Sequence, residues 1–101
     1  MAYLYSLFHP SVLRAIQAIS NAGKRAGIPV EMCGEAAAEV AILPLLISFG
    51  IKAISVNPAH VLEMREAISK WTKAEADAVT KLVMTLDNAS DIEELLKKAE
   101  K

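Results

Sequence analysis

Ile28-Pro29-Val30-Glu31-Met32-Cys33-Gly34 is a short extended run closed by a glycine, and Ile51-Lys52-Ala53-Ile54-Ser55-Val56 is a second. Both are mostly apolar, the pattern of strands covered on both faces. Pro29 sits among the first positions of its run, where a missing N–H is tolerable. Between the runs, Ala36 to Phe49 begins alanine-rich and becomes almost wholly apolar, which predicts a helix buried on most sides and closed by Gly50. Pro44 inside it is expected to remove a backbone bond and kink it. A strand–helix–strand unit of this length is predicted to be parallel. The strands are expected at 28–33 and 51–56, adjacent, with the helix covering one face.

The flanks read as helices. His9-Pro10-Ser11 opens one, with proline preorganised for an early position. Leu13, Ile16, Ile19 and Gly23 recur at helical spacing, and Gly27 ends it. Asn57-Pro58 opens another, whose turns carry Val61, Met64, Arg65 and Ile68. Thr72 with Glu75 forms a capping box for a helix to about Leu86, and Ser90 with Glu93 forms one for the last helix. Leu82, Val83, Leu86, Ile92, Leu95 and Leu96 supply their apolar stripes. Tyr3 to Leu7 reads as extended. The order is α/β, but two strands make neither a sheet interior nor a closed barrel.

Composition narrows the function. A chain of 101 residues predicts one globular unit. A net charge of −1 with mixed signs argues against nucleic acid, which needs clustered Lys and Arg. The most apolar stretch, Val40 to Phe49, is roughly half the ~20 residues of a membrane-spanning helix. The opening residues lack the basic region and cleavage site of a signal peptide. One cysteine allows no internal disulfide and suits a reducing cytoplasm. The mean hydropathy of +0.31 is high for so small a chain, so some apolar surface is expected to meet a partner, with a homo-oligomer the simplest outcome.

In parallel α/β architectures active residues collect at the carboxyl ends of strands. Cys33 lies at such an end, ahead of a glycine and a helix start. A thiol there feels the positive end of a helix, which lowers its pKa. The alternative is a buried small hydrophobe. Glu35 is either a base or metal ligand, or a carboxylate stabilising the helix start. His9 and His60 each lie beside a helix start without triad or metal spacing, and read as structural or exposed. Trp71 and Tyr5 read as packing residues. No zinc pattern, phosphate loop or dinucleotide fingerprint is present.

Met32-Cys33-Gly34-Glu35 resembles the Met-Cys-Gly-Glu motif of the phosphoenolpyruvate-utilising enzymes, the family of enzyme I, pyruvate phosphate dikinase and phosphoenolpyruvate synthase. Its neighbours agree in order. Tyr3-Leu4-Tyr5 and His9-Pro10-Ser11-Val12-Leu13 resemble the approach to the sixth helix of that family's barrel. Ile42-Leu43-Pro44-Leu45-Leu46 resembles the next helix, and Ile54-Ser55-Val56-Asn57-Pro58 the eighth strand and its helix. The likeness covers about residues 2 to 70. It implies the C-terminal part of a (β/α)8 TIM barrel, with residues 1–70 as its last βα units and 71–101 as a helical tail of the same domain.

The resemblance also implies a function, that of a phosphoenolpyruvate–protein phosphotransferase of sugar uptake. Cys33 would be the acid that protonates the enolate of pyruvate, with Gly34 and Glu35 near the substrate. The family's Mg²⁺ ligands, phosphate-binding arginines and phosphohistidine correspond to positions upstream of Met1, as do the domains that meet the phosphocarrier protein. The chain alone is therefore expected to be inactive. Val30, Ile54 and Val56 would face the barrel interior. Two departures stand out. Ala38-Glu39 replaces the family's Gly-Asp, and Glu31 occupies a position that usually holds a small residue. Residues two apart on a strand share a face, so Glu31 is expected beside Cys33, where it would repel anionic phosphoenolpyruvate. The other reading is a non-catalytic barrel segment that acts through its exposed apolar surface.

Overall fold

Two glycines set the geometry. In the computed structural model, which describes residues 7–33, 40–55 and 57–101 and gives Cys33 by its backbone alone, helix α1 spans Pro10–Ala26 and helix α2 spans Leu43–Phe49. Gly27 and Gly50 cap them at φ +69° and +80°, left-handed values that a side chain would disfavour. The next residue in each case bonds back into the helix. Ile28 N–H donates to the Gly23 carbonyl at 2.8 Å, and Ile51 N–H to that of Leu46 at 3.0 Å. These are Schellman closures, each followed by an isoleucine. They turn both chains directly into strands β1 (Glu31–Cys33) and β2 (Ala53–Ser55).

The strands are adjacent and parallel. Glu31 pairs with Ala53, Met32 with Ile54 and Cys33 with Ser55, and Lys52 N–H donates to the Val30 carbonyl at 3.0 Å just before the ladder. Each is shorter than the expected run, because only these residues complete the pairing. After β2, Asn57 caps a short 3₁₀ turn, Pro58–His60, which leads into α3 (Val61–Ser69). Helices α4 (Lys73–Val83) and α5 (Ala89–Ala99) complete the chain.

The core is built around α2. Ala41, Ile42, Leu43, Pro44, Leu45, Leu46 and Phe49 are all buried, and each fully buried Leu or Ile is worth about 1.5–3 kcal/mol over an exposed one. Helix α4 packs along α2 and α5 packs on α4 and on the 3₁₀ turn Val40–Ile42. They contribute Ala76, Val83, Ile92 and Leu96, while Phe8, Leu13 and Met64 close the remaining sides. The buried Thr80 hydroxyl donates to the Pro44 carbonyl at 3.4 Å, and at the exposed rim Ser48 Oγ donates to Asp77 at 2.7 Å. The Thr72–Glu75 capping box forms in full.

Several expectations are corrected. Pro44 does not kink a helix: α2 begins at Leu43, so the proline occupies the first turn, where no N–H is required. The buried stripe of α1 runs through Leu13, Ser20 and Gly23, and Ile19 is 59% exposed. Ser20 is tolerated inside because its hydroxyl donates to the Ile16 carbonyl at 2.9 Å. Leu82 is likewise outward, its place taken by Ala76, Thr80 and Val83. Helix α4 stops at Val83, and α5 is capped by Asn88, whose side chain accepts from Asp91 N–H at 2.8 Å, rather than by Ser90. Ile54 and its partner Met32 pack on the helical core, and Val30 lies against Gly23 of α1, so neither Val30 nor Ile54 turns toward an interior opposite the helices. Tyr3 to Ser6, the helix start at Ala36 and Val56 fall outside the described residues.

Candidate active site at the end of the first strand

Strand β1 delivers its last residue, Cys33, to the same level as the last residue of β2, Ser55. The two carboxyl ends are therefore level, and the Asn57 side chain follows immediately, accepting from Ala59 N–H at 3.0 Å. Ser55 was not singled out by its sequence; only the register reveals it as the partner of Cys33. Glu31 is exposed, as is Ser55, while Ala53 between them is half-buried. The sheet thus turns Met32 and Ile54 to the core and leaves Glu31 and Ser55 uncovered among the described residues. Glu31 stands at the lip of a shallow cavity of about 120 Å³ lined by Ile16, Ile19, Val30, Met32 and Ile51.

Gly34 and Glu35, the other residues predicted for the site, lie outside the described residues. His9 is structural and His60 is exposed. His9 Nδ1 accepts from Ser11 N–H at 3.1 Å and caps α1, and His60 lies exposed 3.7 Å from Glu63. Trp71 is half-buried with the Lys101 ammonium 4.9 Å from its ring centre. Two carboxylates are held below their ordinary range, both on α4 and away from the strand ends. Glu75 is lowered to about 2, chiefly by Lys101 at 2.5 Å and then by the Thr72 hydrogen bonds. Asp77 is lowered by Lys73 and then Ser48. A groove of about 370 Å³ between α4 and α5 is lined by Leu82, Leu86 and Leu95 with Thr85, Asp91, Glu94 and Lys98 around them, away from the strand ends.

Residues 1–73 match the family described as PEP-utilising enzyme, PEP-binding domain. The chain belongs to this family. Curated relatives agree: proteins named phosphoenolpyruvate-protein phosphotransferase from Geobacillus stearothermophilus and Mycoplasma pneumoniae are 32% and 33% identical over 98 residues, 97% of this chain. The Cupriavidus necator protein of that name is 32% identical over 94 residues. The chain spans about 17% of the length of the first two relatives and 16% of the third. Within this PEP-utilising family, Cys33, Gly34, Glu35 and both strands fall inside the matched region, whereas α4, apart from Lys73, and α5 lie beyond it. Among the described residues no three His, Cys, Asp or Glu side chains are positioned to hold a metal, and no helix is long and apolar enough to cross a membrane.

Proposed function

We propose that this chain forms the last βα units of the (β/α)8 phosphoenolpyruvate-binding domain of a phosphoenolpyruvate–protein phosphotransferase, with α4 and α5 as a helical continuation of that domain, and that Cys33 protonates the pyruvate enolate. The observation that carries the reading is the end of β1 at Cys33, level with a parallel neighbour, inside the segment that matches the family. Phosphoenolpyruvate gives its phosphoryl group to a histidine elsewhere in the protein, for onward transfer to the phosphocarrier protein of sugar uptake. The enolate left behind takes a proton at carbon 3. The thiol S–H bond breaks, a C–H bond forms, and the thiolate regains its proton from water.

Magnesium supplies charge neutralisation at the phosphate in such a protein. The described residues do not converge to bind it, so no step assigned to this chain runs through the metal. Gly34 and Glu35, which follow Cys33 in the sequence, are the residues assigned beside the substrate. Cys33→Ala in the full-length protein tests the assignment. Proton transfer by a positioned group is worth about 10²–10⁴-fold in rate. Uptake of solvent deuterium into the pyruvate methyl group is expected to slow by that factor, while phosphohistidine formation in a single turnover persists. Unchanged pyruvate protonation would make Cys33 a packing residue and overturn the reading.

A further inference from the structure

The two helix-to-strand turns enclose a cleft of about 300 Å³ at the amino ends of the strands. Gly23 and Lys24 of α1 form one wall, Pro29 and Val30 the floor, and Gly50 and Lys52 the other wall. Because α1, β1, α2 and β2 are consecutive, no further barrel unit can stand between them. Every wall of the cleft therefore belongs to this chain. It opens on the helix side of the sheet, since positions 52 and 54 share a face and Ile54 packs on the helical core. The rise from Val30 to Cys33 is roughly 10 Å, so the cleft lies at the opposite end from the carboxyl termini of the strands.

Its charge is one-sided. Lys24 and Lys52 both line it, and no Asp or Glu does. Lys24 crosses from α1 to lie over the cap of α2: a Cβ on Gly50 would stand 2.7 Å from its Cε and 3.0 Å from its Nζ. Lys52 is fixed to the same corner by its N–H, which donates to the Val30 carbonyl at 3.0 Å. Neither ammonium joins an ion pair among the described residues. Asp77 attracts Lys24 from a distance, but its oxygens are held by Lys73 at 2.8 and 2.9 Å and by Ser48 at 2.7 Å. Glu31 lines the neighbouring shallow cavity instead. A cation near a helix C-terminus is ordinary, and Lys24 serves the ends of α1 and α2 in that way. Lys52 adds a second charge where the Schellman bonds already occupy the Gly23, Lys24, Leu46 and Ile47 carbonyls.

A concave, largely apolar surface with a few convergent polar groups is the usual form of a small-molecule site. A cleft lined by one sign of charge also concentrates counter-ions. We propose that this corner binds a small phosphate monoester, its dianion between Lys24 and Lys52 and its apolar body on Pro29 and Val30. Two cations match a dianion better than the single charge of a carboxylate, and lysine is a common phosphate partner. The inference draws nothing from the role of Cys33.

Phenyl phosphate is the probe, with inorganic phosphate and benzoate beside it. Titrated into the whole chain at low salt and followed by amide chemical shifts, phenyl phosphate is expected to saturate, with the largest shifts at Gly23, Gly50 and Lys52. It is expected to bind more tightly than phosphate, which lacks the ring, and than benzoate, which carries one charge. Lys24→Gln and Lys52→Gln are each expected to weaken it about three- to tenfold. Lys52→Arg is expected to weaken it much less, and Lys98→Gln on α5 not at all. Where the shifts fall in the unmodified chain decides the matter even if a variant folds poorly. Shifts that never saturate, shifts centred elsewhere, or full affinity in the Lys52→Gln chain would overturn the proposal. Equal affinity for phenyl phosphate and inorganic phosphate would mean an adventitious ion only, and would overturn it as well.

Discussion

Gly23 of α1 lies flush against Val30, the residue that leads into β1: a Cβ on Gly23 would stand 2.5 Å from Val30 Cγ2 and 2.8 Å from the Ile28 carbonyl oxygen. The contact sets where the first strand leaves the helix, and hence where Cys33 arrives. Intrinsic propensity favours alanine over glycine inside a helix by about 0.8–1 kcal/mol. Here one close neighbour is backbone, which cannot swing aside, and overpacking of this kind costs about 1–3 kcal/mol. Gly23→Ala is therefore expected to be net destabilising in urea denaturation. A more stable variant would mean that the turn into β1 yields freely.

The same corner separates what the sequence conveys from what it withholds. Gly27-Ile28 and Gly50-Ile51 announce both helix ends, because left-handed caps require residues of that kind at fixed positions, while the strands begin only at Glu31 and Ala53. Parallel pairing followed from the length of the crossover. Periodicity alone did not assign Ile19 or Leu82, since a stripe of apolar letters does not say which of two neighbouring residues faces the core. Ser20 and Thr80 take buried places because carbonyls of Ile16 and Pro44 satisfy their hydroxyls, a condition visible only in three dimensions. For the candidate site, sequence marked Cys33 and Glu31, whereas Ser55 needed the register. Gly34 and Glu35 lie outside the described residues.

Leu96 and Leu82 put the revised stripes to measurement. Leu96 is 1% exposed and Leu82 57%. Leu96→Ala removes buried methyl groups and opens a cavity between α5 and the core, at an expected cost of about 2–5 kcal/mol. Leu82→Ala is expected to stay within about 0.5 kcal/mol, the usual range for surface changes. Thermal unfolding of both variants beside the parent decides it. Equal losses would put Leu82 in a packed interface.

Acid is expected to loosen the junction between α3 and α4. Glu75 joins three partners there, the Lys101 ammonium, the Thr72 N–H and the Thr72 hydroxyl. Its pKa falls from an ordinary 4.5 to about 2. A depressed carboxylate pKa gives stability that is fully present above the unfolded value and is lost as pH falls through the folded one. The window is thus from about 4.5 down to about 2. Asp77, lowered by Lys73 and Ser48, acts in the same direction. Both groups are exposed, so the effect is small and screened by salt. In Glu75→Gln the stability lost across that window is expected to be smaller than in the parent chain. An identical pH profile would assign the acid response to other carboxylates.

The chain by itself is expected to self-associate and to carry out no phosphotransfer. Inactivity is expected because phosphoryl transfer depends on cations that position and neutralise the phosphate, and the chain spans about 17% of the length of the phosphotransferases it matches. Association follows from the sheet. With β1 and β2 as its two strands, each has one edge unpaired among the described residues, and such edges invite another chain. Ile19 and Ile28 on the α1 side are 59% and 62% exposed, and Leu62 of α3 is 79% exposed. Helices α4 and α5 do not relieve this, because they stack on α2 and the 3₁₀ turn before it. Apolar surface left in water costs about 25 cal/mol per Å², and pairing of two copies about a two-fold axis is the commonest way to remove it. Sedimentation equilibrium at micromolar concentration is expected to give a mass above 10.9 kDa. Replacing Ile19 and Ile28 by Lys is expected to shift the population toward monomer. A soluble monomer across the concentration range would mean that these edges need no partner, and the homo-oligomer expectation would fall.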